Sequence, residues 1–400
     1  MKVIVAGAGP GAASNYTGQA LECIRSADVV LTAARLAESL KALRPDVRVL
    51  GVMDTVAFLN ENIDQPMTVC VAASGDTGFY SIASTIAKGV DPRAEVEFVS
   101  GVGSLSYFAS KLKMGYEDMK LVSLHGRDAS IVPHVCYNRK AISLTGGAVK
   151  AGDIVNQLLE YGLTDVTVHI GENMSSDEER VVSGSPEELK GQIFGDLAVV
   201  IVENEHYVNR HKTLKDSDFV RGKSPMTKEA VRNLSVAALE IQPDDVVYDI
   251  GAGTGSVTCA MAYRACESMV CAVEKEDYAV ELVRENMAKT GARNIILRRA
   301  LAPEGLDAFP PADKVFIGGS TGNLKEIMTA VLDRNGRAVF VITAVTLETI
   351  AQSVSVCGEL GLETEITCVN AAVAQKLGRY NLMKAENPVY IIKGAKKFEN

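Results

Sequence analysis

Four hundred residues exceed one ordinary hydrophobic core, so two domains of about 200 residues are the natural division. At 47% hydrophobic, 23% charged and a formal net charge of −9, the chain reads as a soluble globular protein. Residues 1–203 carry 17 Lys and Arg against 25 Asp and Glu, and 204–400 carry 24 against 25, so neither half has the basic excess that a phosphate backbone demands.

The chain opens on a strand-like run, 3–7, and the turn Gly7-Ala8-Gly9-Pro10-Gly11. A basic leader region is missing ahead of it, and no apolar run approaches the roughly 18–20 residues of a membrane span, so a cytoplasmic location is expected. Strand, glycines and then helix is the order that lets backbone N–H groups face a nucleotide-type ligand closely. A flavin or nicotinamide reading of this turn fits poorly. The next strand-like run, 28–33, ends without an acid for a ribose, and Pro10 removes a backbone donor. The runs VTVHI (166–170) and LAVVIVE (197–203) are almost continuously apolar, which predicts buried parallel strands. The polar, aperiodic stretch 204–217 reads as a linker between a domain over 1–203 and another over 218–400. Apolar spacing over 227–239 predicts a helix. Strands are predicted at 246–250, 270–273, 314–317 and 338–342, at intervals suited to βα units, with Asn335-Gly336 as a turn before the last.

The second glycine turn is of a different design: Asp249-Ile250-Gly251-Ala252-Gly253-Thr254-Gly255-Ser256. Its glycines let the backbone turn tightly and approach a ligand without Cβ atoms intervening. The following strand ends at Glu274, and an acid there accepts hydrogen bonds from ribose hydroxyls. Ser256 stands where a dinucleotide fingerprint has its third glycine, which favours the D-x-G-x-G-x-G form of S-adenosylmethionine-dependent methyltransferases. Phe219-Val220-Arg221-Gly222-Lys223-Ser224-Pro225-Met226-Thr227 before the turn, and Val315-Phe316-Ile317-Gly318-Gly319-Ser320 after it, resemble the cobalamin-pathway methyltransferases that act at carbon 15 of a precorrin and decarboxylate it. Ala344-Val345-Thr346-Leu347-Glu348 and Asn387-Pro388-Val389-Tyr390 extend the resemblance over about 218–393. It implies a Rossmann-like class I fold, with Thr227, Gly251, Ala252, Gly253, Thr254, Gly255, Glu274 and Ala302 at the S-adenosylmethionine site and the loop from Gly318 and Gly319 through Ser320 facing a tetrapyrrole. One departure stands out: the family usually has Gly-Asp before Ala-Pro-Glu, and this chain has Ala300-Leu301.

The first turn has its own companions: Ala73-Ser74-Gly75-Asp76-Thr77-Gly78, Val99-Ser100-Gly101-Val102-Gly103-Ser104, Leu124-His125-Gly126-Arg127, Leu144-Thr145-Gly146-Gly147 and Gly171-Glu172. Together they resemble the tetrapyrrole methylases, and among them the precorrin carbon-5 methyltransferases, over about 3–203. The resemblance implies an α/β fold of two subdomains. It also places a second S-adenosylmethionine on Gly9, Pro10, Gly11, Asp76, Gly78, Ser104 and Thr145. His125 reads either as a packed structural histidine or, paired with Arg127, as a substrate-binding or interface residue. That family often has Asp directly after G-P-G, where this chain has Ala12. Asp76 also has a purely local reading, as a turn-capping aspartate.

A sulfonium methyl is already electrophilic, so the chemistry needs a positioned carbon nucleophile more than a reactive side chain. Five histidines and eight cysteines show no metal-ligand spacing, and the cysteines read as reduced core residues. A polycarboxylate ring needs cations, and Arg221 and Lys223, close to Thr227, are the first candidates. The sequence thus points to a bifunctional corrin-pathway C-methyltransferase and decarboxylase with one S-adenosylmethionine per domain, assembled as a homo-oligomer. The competing reading is a tRNA methyltransferase domain behind a regulatory cofactor-binding module.

Overall fold

The computed structural model describes residues 1–124, 130–146, 149–319 and 322–396. The chain forms two compact units. One comprises Met1–Asp128, Lys140–Asn156 and Thr167–Glu203, and the other Ala129–Arg139, Gln157–Val166 and Asn204–Asn400.

The first unit holds two five-stranded sheets. In the first, β1 (Lys2–Gly7), β2 (Val29–Thr32), β3 (Arg48–Val49), β4 (Thr68–Ala73) and β5 (Glu95–Val99) lie parallel in the order β3-β2-β4-β1-β5. Successive residues of its strands feed opposite cores. Val3, Val5, Val69 and Val71 face one side, while Ile4, Ala6, Cys70 and Ala72 face the other. A strand buried on both faces has to be apolar at every position, which is why these segments read as continuous runs. The second sheet contains β6 (Met119–Ser123), β7 (Lys140–Leu144), β8 (Thr167–Glu172), β9 (Arg180–Gly184) and β10 (Ala198–Glu203), in the order β6-β7-β10-β8-β9. Here the sequence misleads. The apolar runs of β8 and β10 are antiparallel to each other, and β10 is also antiparallel to β7. Burial on both faces dictates composition and leaves strand direction free.

The second unit is built on β11 (Val247–Ile250), β12 (Val270–Glu274), β13 (Ile295–Arg299), β14 (Lys314–Ile317), β15 (Val339–Ala344), β16 (Glu363–Val369) and β19 (Val389–Ala395), in the order β13-β12-β11-β14-β15-β19-β16. The first five strands are parallel, and β19 runs antiparallel between β15 and β16. The βα spacing predicted the parallel strands, and the arrangement is the class I methyltransferase fold that the resemblance implied. A separate hairpin, β17 (Ala372–Leu377) and β18 (Tyr380–Ala385), pairs only with itself among the described strands, and every one of its residues is exposed.

The polar stretch 204–217 is laid against the second unit. The Asn204 side chain donates to Val135 O at 2.9 Å, Val208 N–H to Cys136 O at 2.8 Å and Arg210 to Cys266 Sγ at 3.0 Å, while Leu214 is buried in the core. The helix Val132–Tyr137 enters that same core. The Tyr137 hydroxyl donates to Asn294 Oδ1 at 2.8 Å, and its ring meets Tyr263 edge-on at 5.6 Å.

Arg232, on the helix Glu229–Leu239, is wholly buried. Its guanidinium donates to Thr227 O at 2.9 Å, to Leu214 O at 2.8 Å and to Asp216 at 3.0 Å, and it lies over the Phe219 ring. It therefore joins the strap, the helix and the segment leading to the glycine turn. Replacing it by Met leaves two carbonyls and a carboxylate without their donor. R232M should lower unfolding free energy by about 3 kcal/mol, read in urea as an earlier transition of the second unit with the other transition unmoved.

Candidate functional site

Three loops converge at the carboxyl ends of β1, β4 and β5. Gly9 N–H donates to Gly75 O at 3.2 Å, Gly75 N–H to Gly9 O at 2.7 Å, and Ala8 N–H to Ala73 O at 2.7 Å. A Cβ on Gly7 would lie 2.5 Å from Gly101 N. One on Gly101 would lie 2.5 Å from both Gly7 O and Gly75 O. Asp76 closes the knot, its carboxylate accepting from Gly78 N–H at 2.8 Å and Gly101 N–H at 3.1 Å. Its visible work is therefore to hold two loops together.

A cavity of about 670 Å³ opens beside this knot, and Pro10, Gly11, Ser104 and Thr145 line it. Gly9, Asp76 and Gly78 shape the loops without lining the cavity. The Thr145 hydroxyl is engaged across the sheet, donating to Ala198 O at 3.1 Å and accepting from Ala198 N–H at 2.8 Å. The lining residues Tyr80 and Asn173, and nearby Ser175, adopt φ values of 45°, 47° and 70°. Such conformations cost energy for residues with side chains and concentrate where function needs them. Ser175 has an evident purpose. Its Oγ accepts from Ala12 N–H at 2.7 Å, and its own N–H donates to Glu179 at 2.7 Å, which also accepts from the Tyr107 hydroxyl at 2.7 Å. The turn at Ala12 is thus fixed through its main chain.

In the second unit the strand order reverses between β11 and β14, and their carboxyl ends bound the crevice where open α/β sheets bind ligands. Both glycine loops lie there. Gly251, Gly253 and Gly255 have φ of 77°, 58° and 74°, and a Cβ on Gly251 would meet Gly319 O at 3.1 Å. Glu274, at the end of β12, is buried. Its carboxylate accepts from Gly253 N–H at 2.8 Å, Lys275 N–H at 2.8 Å and Glu276 N–H at 3.0 Å. A carboxylate has about four acceptor sites, so the main chain takes most of them and room for about one further donor is left.

A cavity of about 350 Å³ brings together Gly251, Gly253, Glu274, Ala302, Gly318 and Gly319. Ala252 and Thr254 are buried beneath the turn, and Gly255 caps the helix Ser256–Ala262. Thr227 gives its carbonyl to Arg232, and the lining from its segment is Ser224 and Pro225. Arg221 and Lys223 are exposed outside the lining, Arg221 3.6 Å from Asp216. His125, Arg127 and Ser320 lie outside the described residues. Sequence reasoning missed Tyr278, Asn323 and Ile327, which line this cavity, and noted Leu301 only as a departure. The one advance signal for Tyr278 was its place in the first turn after the β12 acid.

Asp249, which opens the motif, sits under the turn. One carboxylate oxygen accepts from the Thr258 hydroxyl, and the other has no partner among the described residues. Burial pushes its carboxyl up to about 7; Thr258 opposes the rise and Glu274 adds to it. Burial likewise pushes the thiols of Cys70, Cys136, Cys259 and Cys271 up to about 12, so they behave as small hydrophobes. A Ser-His-Glu chain does occur. His169 lies 2.7 Å from Ser183 and 3.2 Å from Glu203, but on adjacent strands away from both cavities' linings. Among the described residues no cluster of three or more His, Cys, Asp or Glu could hold a metal ion.

A family model described as a precorrin methyltransferase domain matches residues 218–396, and one described as tetrapyrrole (corrin/porphyrin) methylases matches 2–190. A probable cobalt-precorrin-6B C(15)-methyltransferase (decarboxylating) of Pyrobaculum calidifontis is 41% identical over 170 residues, which is 42% of this chain and 87% of that protein. A protein of the same description from Saccharolobus solfataricus is 38% identical over 179 residues, 43% of this chain and 89% of its own. The crystal structure of a precorrin-6y C5,15-methyltransferase from Geobacter metallireducens is 39% identical over 46% of this chain and 96% of that one, with a TM-score of 0.44.

Two outcomes follow from this geometry. G101A sets a methyl against main-chain oxygens that cannot step aside and should cost about 2–3 kcal/mol in the first unit, seen as an earlier transition in urea. The raised pKa of Asp249 means that the folded state keeps its proton while the unfolded chain has lost it. Wild-type stability relative to D249N should therefore fall as pH rises from about 4 to 7, by up to about 1.4 kcal/mol per pH unit, and then level off. Urea titrations of the ligand-free protein across that range check this, and a pH-independent difference would contradict it.

Proposed function

The chain belongs to the precorrin methyltransferase family, and from that premise we propose a bifunctional S-adenosylmethionine-dependent enzyme of corrin biosynthesis. Residues 1–203 carry the tetrapyrrole methylase domain that methylates carbon 5, although 129–139 and 157–166 within them pack into the second unit. Residues 218–400 form the class I domain that methylates carbon 15 and removes the ring-C acetate carboxyl, with 204–217 joining them. The single observation that carries the reading is the glycine turn at the β11–β14 switch point, with positive φ at Gly251, Gly253 and Gly255 and its Gly253 N–H held by Glu274.

The residues present fit the donor. Gly251 and Gly253 leave main chain open toward the cavity, Glu274 keeps an acceptor site for a ribose hydroxyl, and Leu301 and Ile327 offer apolar contact to a purine. Leu301 stands where relatives usually carry an acid, so purine recognition here relies on shape and main chain. When bound, S-adenosylmethionine supplies an electrophilic methyl; the protein's contribution is to hold an electron-rich ring carbon in line with it. In the first domain, Pro10, Gly11, Ser104 and Thr145 border the corresponding donor site, with Gly9, Asp76 and Gly78 fixing its loops. Arg221 and Lys223, exposed beside the Ser224-Pro225 lining, are placed to take substrate carboxylates, and the Gly318–Gly319 loop faces the ring.

The nearly balanced charge of 204–400 fits a small-molecule substrate better than a nucleic acid. No helix among the described residues is long and apolar enough to cross a membrane. A homo-oligomer accounts for the hairpin β17–β18. Val373, Leu377, Tyr380, Leu382 and Met383 are each more than half exposed, and a lone two-stranded ribbon is marginal in water.

The decisive experiment is incubation of the intact chain with S-adenosylmethionine and a precorrin or cobalt-precorrin, with mass spectrometry of the product. Double methylation with loss of carbon dioxide is expected, and methylation without carbon dioxide loss would remove the decarboxylase assignment. Calorimetry with S-adenosylhomocysteine should give two equivalents per chain. E274Q replaces an oxygen that accepts main-chain N–H bonds, and should weaken one of the two by roughly ten- to a hundredfold while sparing the other.

A further inference from the structure

Among the described residues lining the first cavity, one side chain is charged, and neither the turn motifs nor the family resemblance singled it out. Arg35 lies in the short helical turn Ala34–Leu36 that follows β2. Leu36 is buried and anchors that turn in the core, while the Arg35 guanidinium donates to Pro10 O at 3.0 Å. The side chain is thus fixed at both ends against the edge of the glycine turn. Among the described residues no carboxylate lies within ion-pair distance of it. Burial lowers its pKa from the ordinary arginine value, yet the residue stays accessible, as expected of a group crowded by cavity walls and open to the cavity itself.

The rest of the lining is chiefly uncharged and includes Tyr80, Leu144, Met174, Leu197 and Val199. A fixed guanidinium without a counter-charge, on a wall otherwise suited to a flat apolar body, is the complement of a conjugated ring bearing carboxylate arms. The methyl donor is the weaker candidate, since its sulfonium and ammonium groups would bring positive charge toward Arg35. We propose that Arg35 is a substrate-anchoring residue of the first cavity, binding a carboxylate of the macrocycle. The proposal rests on the reading that this cavity takes a tetrapyrrole.

The test uses the full-length chain with R35Q, which keeps a donor for Pro10 O, and R35K, which keeps the charge. Binding of a porphyrin octacarboxylate is followed by its absorbance and binding of S-adenosylhomocysteine by calorimetry, with methylation at carbons 5 and 15 scored separately. R35Q should weaken one class of porphyrin site and raise KM for methylation at carbon 5 by roughly ten- to a hundredfold. R35K should recover part of the loss. Methylation at carbon 15, S-adenosylhomocysteine binding and the melting temperature should stay unchanged. A loss confined to S-adenosylhomocysteine would assign the carboxylate to the donor and overturn the proposal. Unchanged porphyrin binding and KM, or a loss that follows melting temperature, would overturn it as well. If the wild-type chain fails to methylate carbon 5 while porphyrin binding still depends on Arg35, the anchor stands and the reaction assignment falls.

Discussion

Backbone brought against backbone at the carboxyl ends of parallel strands is the constraint on which both cavities depend. In the first unit, Gly7, Gly75 and Gly101 approach so closely that a methyl on Gly7 or Gly101 would collide with main-chain atoms of the others. In the second, Gly251 has a left-handed φ of 77° and a Cβ there would stand 3.1 Å from Gly319 O, a looser but still crowded approach. Contacts this close are possible only between residues without side chains, and they leave amides and carbonyls as the surface a ligand meets. In each unit a single carboxylate accepts N–H bonds from two loops or turns and so locks the arrangement: Asp76 in the first and Glu274 in the second.

The two units reach this condition from unlike sheets. Glu274 belongs to the strand beside β11 and reaches across to the turn. Asp76 belongs to the loop it stabilises and reaches Gly101, after β5. At residue 12 the main-chain N–H of Ala12 donates to Ser175 Oγ, and at residue 301 Leu301 gives the second cavity part of an apolar wall.

Much of this was legible in the residues. The runs at 3–7, 246–250 and 270–273 appear as β1, β11 and β12, because strands covered on both faces are chiefly apolar, Asp249 being the exception in β11. The glycine turns were legible because their conformations exclude side chains. Strand direction in β8 and β10 was not, since an antiparallel strand buried on both faces has the same composition as a parallel one. The stretch 204–217 looked loose because its polar groups dominate, whereas its attachment rests on Val208, Leu214 and a few side-chain hydrogen bonds. Arg35 gave no pattern in sequence, and Tyr278 only its place after the β12 acid. Their significance comes from facing cavities formed by residues far away in the chain.

The helix Val132–Tyr137 is numbered among the residues of the first resemblance and is packed in the core of the second unit. A chain severed at residue 203 would carry that helix off with the wrong fragment. Asn294, which also ties three carbonyls together, would lose its phenolic donor, and the edge of Tyr263 would meet water. The core of the second unit is thus completed by a helix that precedes most of it in the chain, so its integrity depends on residues far outside its main span.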